Sequence, residues 1–98
     1  MTTLGRGANN RAVVTVLGND RPGIVATVAG VLAEHDVNIL DISQPILQGI
    51  FTMTMLVDIE HANVEFLVLQ EQLGGLSEKL GVQTTLQREE VFNYMYRL

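Results

Sequence analysis

The sequence predicts an α+β fold, a four-stranded antiparallel sheet with two helices on one face and a short helix at the C-terminus. Three observations predict it. Four segments have strand character, two apolar segments between them have helical spacing, and their order is β-α-β-β-α-β.

The first strand is AVVTVL, Ala12 to Leu17, β-branched and apolar on both faces, as a buried central strand should be. From Pro22 the period changes. Ile24, Val28 and Val31, with Val25 and Leu32, fall three or four apart, which is helical spacing, and the helix is expected to end near Glu34-His35-Asp36. VNILDIS, Val37 to Ser43, follows as the second strand. Pro45 comes just after it, and a proline is tolerated in a sheet only at an edge or a bulge, so this strand is placed at an edge. Gln48-Gly49 predicts a hairpin turn. Phe51, Met53, Met55, Val57 and Ile59 then alternate with Thr52, Thr54, Leu56 and Asp58, a long strand of period two.

Asn63 is the candidate cap of the second helix. Phe66, Leu69, Leu73, Leu76 and Leu80 mark its apolar face. Gly74-Gly75 sits in its middle, where each glycine costs about 1 kcal/mol against alanine, so a bend or a close contact is expected there. Val82, Thr84 and Leu86 alternate with Gln83, Thr85 and Gln87 as the last strand. EEVFNYMYRL, residues 89–98, carries Phe92, Met95 and Tyr96 at helical spacing. Two β-α-β halves joined by a hairpin make a ferredoxin-like βαββαβ sandwich. Helices cover one face of such a sheet, so the other needs polar residues or a cover, and the aromatic tail is the candidate cover.

Composition narrows the function. Ninety-eight residues, 47% of them hydrophobic, make one domain with a modest core. Residues 1–10 are polar and are expected to be a flexible leader to a domain over residues 11–98. No cysteine is present, which excludes a disulfide framework, a thiolate metal site, a Cys-x-x-Cys metallochaperone and a cysteine nucleophile. The first ten residues lack a signal peptide's apolar core, and no apolar run approaches the ~20 residues of a membrane span; a cytoplasmic location is expected. Six basic residues against eleven acidic ones give a net charge of −5, a poor match for a phosphate backbone. RNA-recognition modules share this element order, but their stacking aromatics are missing here; only Phe51 stands on a central strand. His35 and His61 stand apart with no second ligand at metal-binding spacing, so no metal is expected. No nucleophile–base–orienter set and no arginine-bearing phosphate loop of the acylphosphatase kind is visible, so no catalytic residue is assigned and no cofactor is expected.

The chemistry concentrates in GNDRPG, residues 18–23. Pro22 suits the first turn of a helix, where its missing N–H would be unpaired anyway. Asp20 can accept bonds from the free N–H groups of that turn. Gly23 lets a ligand approach the backbone. Bare helix donors welcome a carboxylate, whereas the Asp20 charge suits an ammonium; a zwitterion satisfies both. A well-capped turn with no ligand is the competing reading.

GNDRPGIVATVAGVLAEHDVNILDIS, residues 18–43, resembles the signature of the ACT domain, a small regulatory module of amino-acid metabolism. The strand, the Asp-Arg-Pro-Gly turn, the apolar helix and the Val-Asn-Ile opening of the next strand are all present, and Ala12 to about Glu90 fits the family topology. QREEVFNYMYRL together with ISQPILQGIFTM is similar to a group of small stand-alone ACT proteins of uncharacterised function. The resemblance implies an effector site between two subunits, against the first helix and second strand. Asp20, before Arg21-Pro22-Gly23, and Asn38 of Val-Asn-Ile would contact the effector, and backbone near Asn19, Gly23 and Ile39 would complete the site. Serine-binding members carry a histidine two residues before the Asp20 position and an asparagine at it; here Gly18 and Asp20 stand there, which argues against serine.

The function expected is therefore a non-enzymatic regulatory homodimer. It would bind a small amino acid or similar zwitterion at its interface and signal to a separate partner protein. Asp41 and Ser43 could face that interface. The alternative is a protein-interaction module with a vestigial ligand site, in which the aromatic tail is the working surface.

Overall fold

A computed structural model of the chain describes residues 10–19, 22–45 and 48–96. The expected leader lies outside them apart from Asn10, whose carbonyl accepts a hydrogen bond from Ile59 N–H at 2.8 Å. The elements are β1 (Arg11–Asn19), α1 (Ile24–Glu34), β2 (Asn38–Ser43), β3 (Ile50–Asp58), α2 (Phe66–Leu80), β4 (Val82–Arg88) and α3 (Glu89–Tyr96). The sheet order is β2-β3-β1-β4 with every neighbouring pair antiparallel, the ferredoxin-like arrangement. β1 is central and β2 is an edge, as its sequence and Pro45 predict; β2 stops at Ser43, two residues before the proline.

Period-two alternation sorts the two faces. Along β3, Phe51, Met53, Met55 and Val57 are buried while the residues between them are not. Register sets Val14 opposite Met55 on one side and Leu86 on the other, so Ala12, Val14 and Val16 form the middle of the core. α1 adds Ile24, Val28 and Leu32, four apart, and α2 adds Leu69, Leu73, Leu76 and Leu80. Burying each such side chain contributes roughly 1.5–3 kcal/mol.

Three local expectations are corrected. Pro22 lies ahead of the first turn of α1 and not within it. Gly23 follows it as N-cap with φ 90°, a left-handed turn that a non-glycine residue enters only under strain, and the helix starts at Ile24. Asn63 does not cap α2. The N-cap is Glu65, with no side-chain capping bond, and Asn63 is engaged by the end of α1 instead. Gly74 and Gly75 make no close contact: both are exposed within a continuous α2, and a Cβ on either would meet nothing within 4 Å among the described residues.

The other face of the sheet carries Thr15, Leu17, Thr52 and Thr54, and α3 packs across β1 on that side. Arg11 Nη2 donates to Glu89 Oε2 at 3.0 Å, tying the start of α3 to the start of β1. Phe92 of α3 lines a depression of about 320 Å³ with Thr15, Leu17, Thr52 and Thr54. The tail is thus a partial cover. Tyr94 stays 78% exposed, and the side chains of Met95 and Tyr96 lie outside the described residues.

Candidate functional site

The residues singled out in the sequence fall into two groups. Asn19 ends β1, paired with Ile50, and is exposed. Pro22 and Gly23 are exposed at the mouth of α1, where Gly23 O accepts from Thr27 N–H at 2.9 Å. The first turn of α1 holds no acidic residue, and Gly23 offers no side chain, so the opening backbone donors of the helix have no side-chain cap from the N-cap residue. Asp20 and Arg21 lie outside the described residues. Asn38 and Ile39 form the second group. Asn38 opens β2, exposed and paired with Asp58; Ile39, half-buried, pairs with Val57 and packs on the core.

One chain does not bring the groups together. Asp58 pairs with Asn38 on one side and with Arg11 on the other, so Asn38 lies level with the start of β1. Asn19 is the end of that strand, eight residues on, or about 26 Å at ~3.3 Å per residue. α1 runs back between the two ends, its 11 residues covering about 16 Å of that distance.

The Asn38 end is held by contacts that sequence reasoning missed. Beyond α1, Asp36 takes φ 58°, a left-handed conformation that aspartate tolerates, and Val37 N–H donates to Leu32 O at 2.9 Å. Asn63, from the loop before α2, clasps this corner. Its Nδ2 donates to Glu34 O at 3.1 Å and to Asp36 Oδ2 at 3.2 Å, and its Oδ1 lies 3.0 Å from His35 Nδ1. His35 is therefore half-buried and bonded, not a solitary surface side chain.

At the other end the position two before Asp20 has no room for a side chain. Gly18 pairs with Phe51 and Val82, and a Cβ built on it would sit 2.8 Å from Val82 Cα and Cγ1. The absence of a histidine side chain here is thus a packing requirement.

Beside both groups run two surfaces that no described residue covers. β2 is an edge strand, irregular at Leu40, with Leu40 and Ile42 each nearly half exposed. Asp41 accepts from its neighbour's amide, Ile42 N–H, at 2.9 Å, and Ser43 is exposed beside it. The outer face of α1 is Ala26, Gly30 and Ala33, and the helix carries no charge before Glu34. A helix apolar on all sides normally has both sides covered. No cluster of three or more metal-ligating side chains occurs among the described residues, and no helix there is long and apolar enough to cross a membrane.

Comparison with known proteins fits this architecture. A family model described as ACT domain matches residues 10–87. A UPF0237 protein of Methanocaldococcus jannaschii is 52% identical over 89 residues, 91% of this chain and 99% of that one. Among solved structures, an ACT domain protein from Streptococcus pneumoniae superposes with TM-score 0.73 at 37% identity, covering 88% of this chain and 97% of that one. The regulatory subunit of aspartate kinase from Thermus thermophilus shares the fold at TM-score 0.62 and 24% identity, over 80% of this chain and 50% of its own.

Proposed function

The chain belongs to the ACT domain family, and from that premise we propose that it is a non-enzymatic regulatory module that binds a small amino acid or similar zwitterionic metabolite between two copies of itself. The observation that carries the reading is the separation of Asn19, Pro22 and Gly23 from Asn38 along the length of α1. Two copies related by a twofold axis, with their α1 helices antiparallel and their β2 edges adjacent, set the Gly23 end of one against the Asn38 end of the other. Each interface then carries two equivalent cradles.

The surfaces such a pairing would bury support it. Ala26, Gly30 and Ala33 allow close helix approach, and Leu40 and Ile42 supply apolar area. In each cradle the α1 backbone donors receive the carboxylate, Asp20 receives the ammonium, and Asn38 of the second copy orients both; Asn19, Arg21 and Ile39 complete the walls. A ligand spanning two subunits biases their geometry, and that bias is the signal a separate partner protein in the cytoplasm would read. A saturable rise in melting temperature with one of the twenty amino acids, lost in Asn38→Ala while the variant stays dimeric, is the expected result. No rise with any of them, or a wild-type protein that sediments as a monomer, rejects the reading.

A second reading, an interaction module with a vestigial site, rests on α3. Val91 and Tyr94 point apolar and aromatic surface outward. If the amino-acid screen is silent and a partner is lost on Tyr94→Ala, that reading stands.

A further inference from the structure

A cavity of about 200 Å³ lies at the foot of the core, walled by the β3–α2 loop, the first turn of α2 and the end of β4, with no described residue of α1 or β2 in its lining. Its apolar wall is Ile59, Val64, Phe66 and Leu69, and Glu60 and Arg88 stand at it as the charged groups. Arg88 lies on the same side of β4 as the buried Val82, Thr84 and Leu86, with its guanidinium 4.5 Å from the centroid of the Phe66 ring. A guanidinium stacked on a ring has less freedom to lose when an anion binds, and its planar edge matches a carboxylate. It is engaged elsewhere in the protein as well, and its five N–H donors allow a ligand beside that engagement. Glu60 makes a second negative charge on the ligand costly. The cavity opens to solvent past Asn10, Glu60 and Arg88, and its volume exceeds the roughly 150 Å³ that holds a benzene-sized molecule.

We propose that this cavity binds a small apolar monocarboxylate, its carboxylate on Arg88 and its alkyl chain against Ile59, Val64, Phe66 and Leu69. This goes beyond the interface reading, because the site is built within one chain and needs neither Gly23 nor Asn38.

The test is a titration of the full-length ¹⁵N-labelled protein with 4-methylpentanoate, followed by amide chemical shifts. A ligand of this size is expected to saturate on the order of 1 mM, with the largest shifts at Ile59, Ala62, Val64 and Leu69. The amine of the same shape, 4-methylpentylamine, is expected to give no saturating shift there. Arg88→Gln should weaken binding about tenfold or more. Because that change also unstacks Phe66, Ala62→Phe, which fills the cavity and leaves Arg88 in place, should abolish binding independently. Asn38→Ala should leave it unchanged, so failure here and failure of the interface reading are separately visible. Shifts that do not saturate up to roughly ten times the expected concentration, amine shifts equal to those of the acid, or undiminished binding by Arg88→Gln and Ala62→Phe would overturn the proposal.

Discussion

His35 Nδ1 lies 3.0 Å from Asn63 Oδ1, joining residues 28 apart in sequence. The contact orders the whole corner before Asn38. Asn63 Nδ2 is spent on Glu34 O and Asp36 Oδ2, so Oδ1 is the acceptor and His35 carries its proton on Nδ1. His35 Nε2 is buried without a hydrogen-bond partner among the described residues.

Asn63→Ala removes three bonds at an exposed site and should lower unfolding stability by about 1 kcal/mol, read by urea denaturation. Asn63→Asp should be worse than alanine, because its carboxylate would face both the Asp36 carboxylate and the Glu34 carbonyl. Equal stability of the two variants would contradict this geometry.

Gly18→Ala forces a methyl group to within 2.8 Å of Val82, and the nearest atoms include that residue's backbone. Overpacking of this kind costs about 1–3 kcal/mol. Adding Val82→Ala should recover only part of the loss, since trimming the side chain leaves the clash with the backbone of residue 82 in place. Complete recovery in the double variant would show that the side chain alone enforces the glycine.

Gly75→Ala should stabilise the protein by about 0.5–1 kcal/mol, because the position is helical, exposed and open. Gly23→Ala should destabilise it, because φ is 90° there although the surrounding space is equally open. Thermal melts of the pair separate conformational cost from packing. A stabilised Gly23→Ala would mean that α1 starts differently.

Gly30→Glu places a long, charged side chain on the outer face of α1, where nothing lies within 4 Å in the single chain. The fold should gain helix propensity of a few tenths of a kcal/mol. Pairing through α1 should be lost, since two like charges would meet across the twofold axis. Sedimentation velocity should show a dimeric wild type and a folded, monomeric variant.

Much of this architecture is legible in the local pattern. Alternation along Phe51–Ile59 identifies β3 and its buried face, and Pro45 places β2 at the edge, because both signals depend on neighbours within one element. Asn63 misleads for the opposite reason. An asparagine ahead of a helix looks like its cap, and nothing local reveals that its partners are Glu34, His35 and Asp36. Pro22 reads as part of the helix because only the backbone shows that Gly23 makes the left-handed entry turn. For the site, the turn chemistry and the family resemblance single out Asn19, Asp20, Arg21, Pro22, Gly23, Asn38 and Ile39 as ligand-binding. The sequence does not show that a strand's length divides Asn19 from Asn38 within one chain, since spacing along a chain carries no distance across a sheet.

The central placement of β1 has a consequence for how the chain is made. Thr15 shares a hydroxyl–hydroxyl hydrogen bond with Thr85, 70 residues later, while β3 occupies the opposite flank of the same strand. During N-to-C synthesis β1 emerges before both of its sheet neighbours, and no nascent fragment stopping before Val82 can close its second side. Closure of the sheet must therefore await the emergence of β4, and until then the AVVTVL segment keeps one flank open to unwanted pairing.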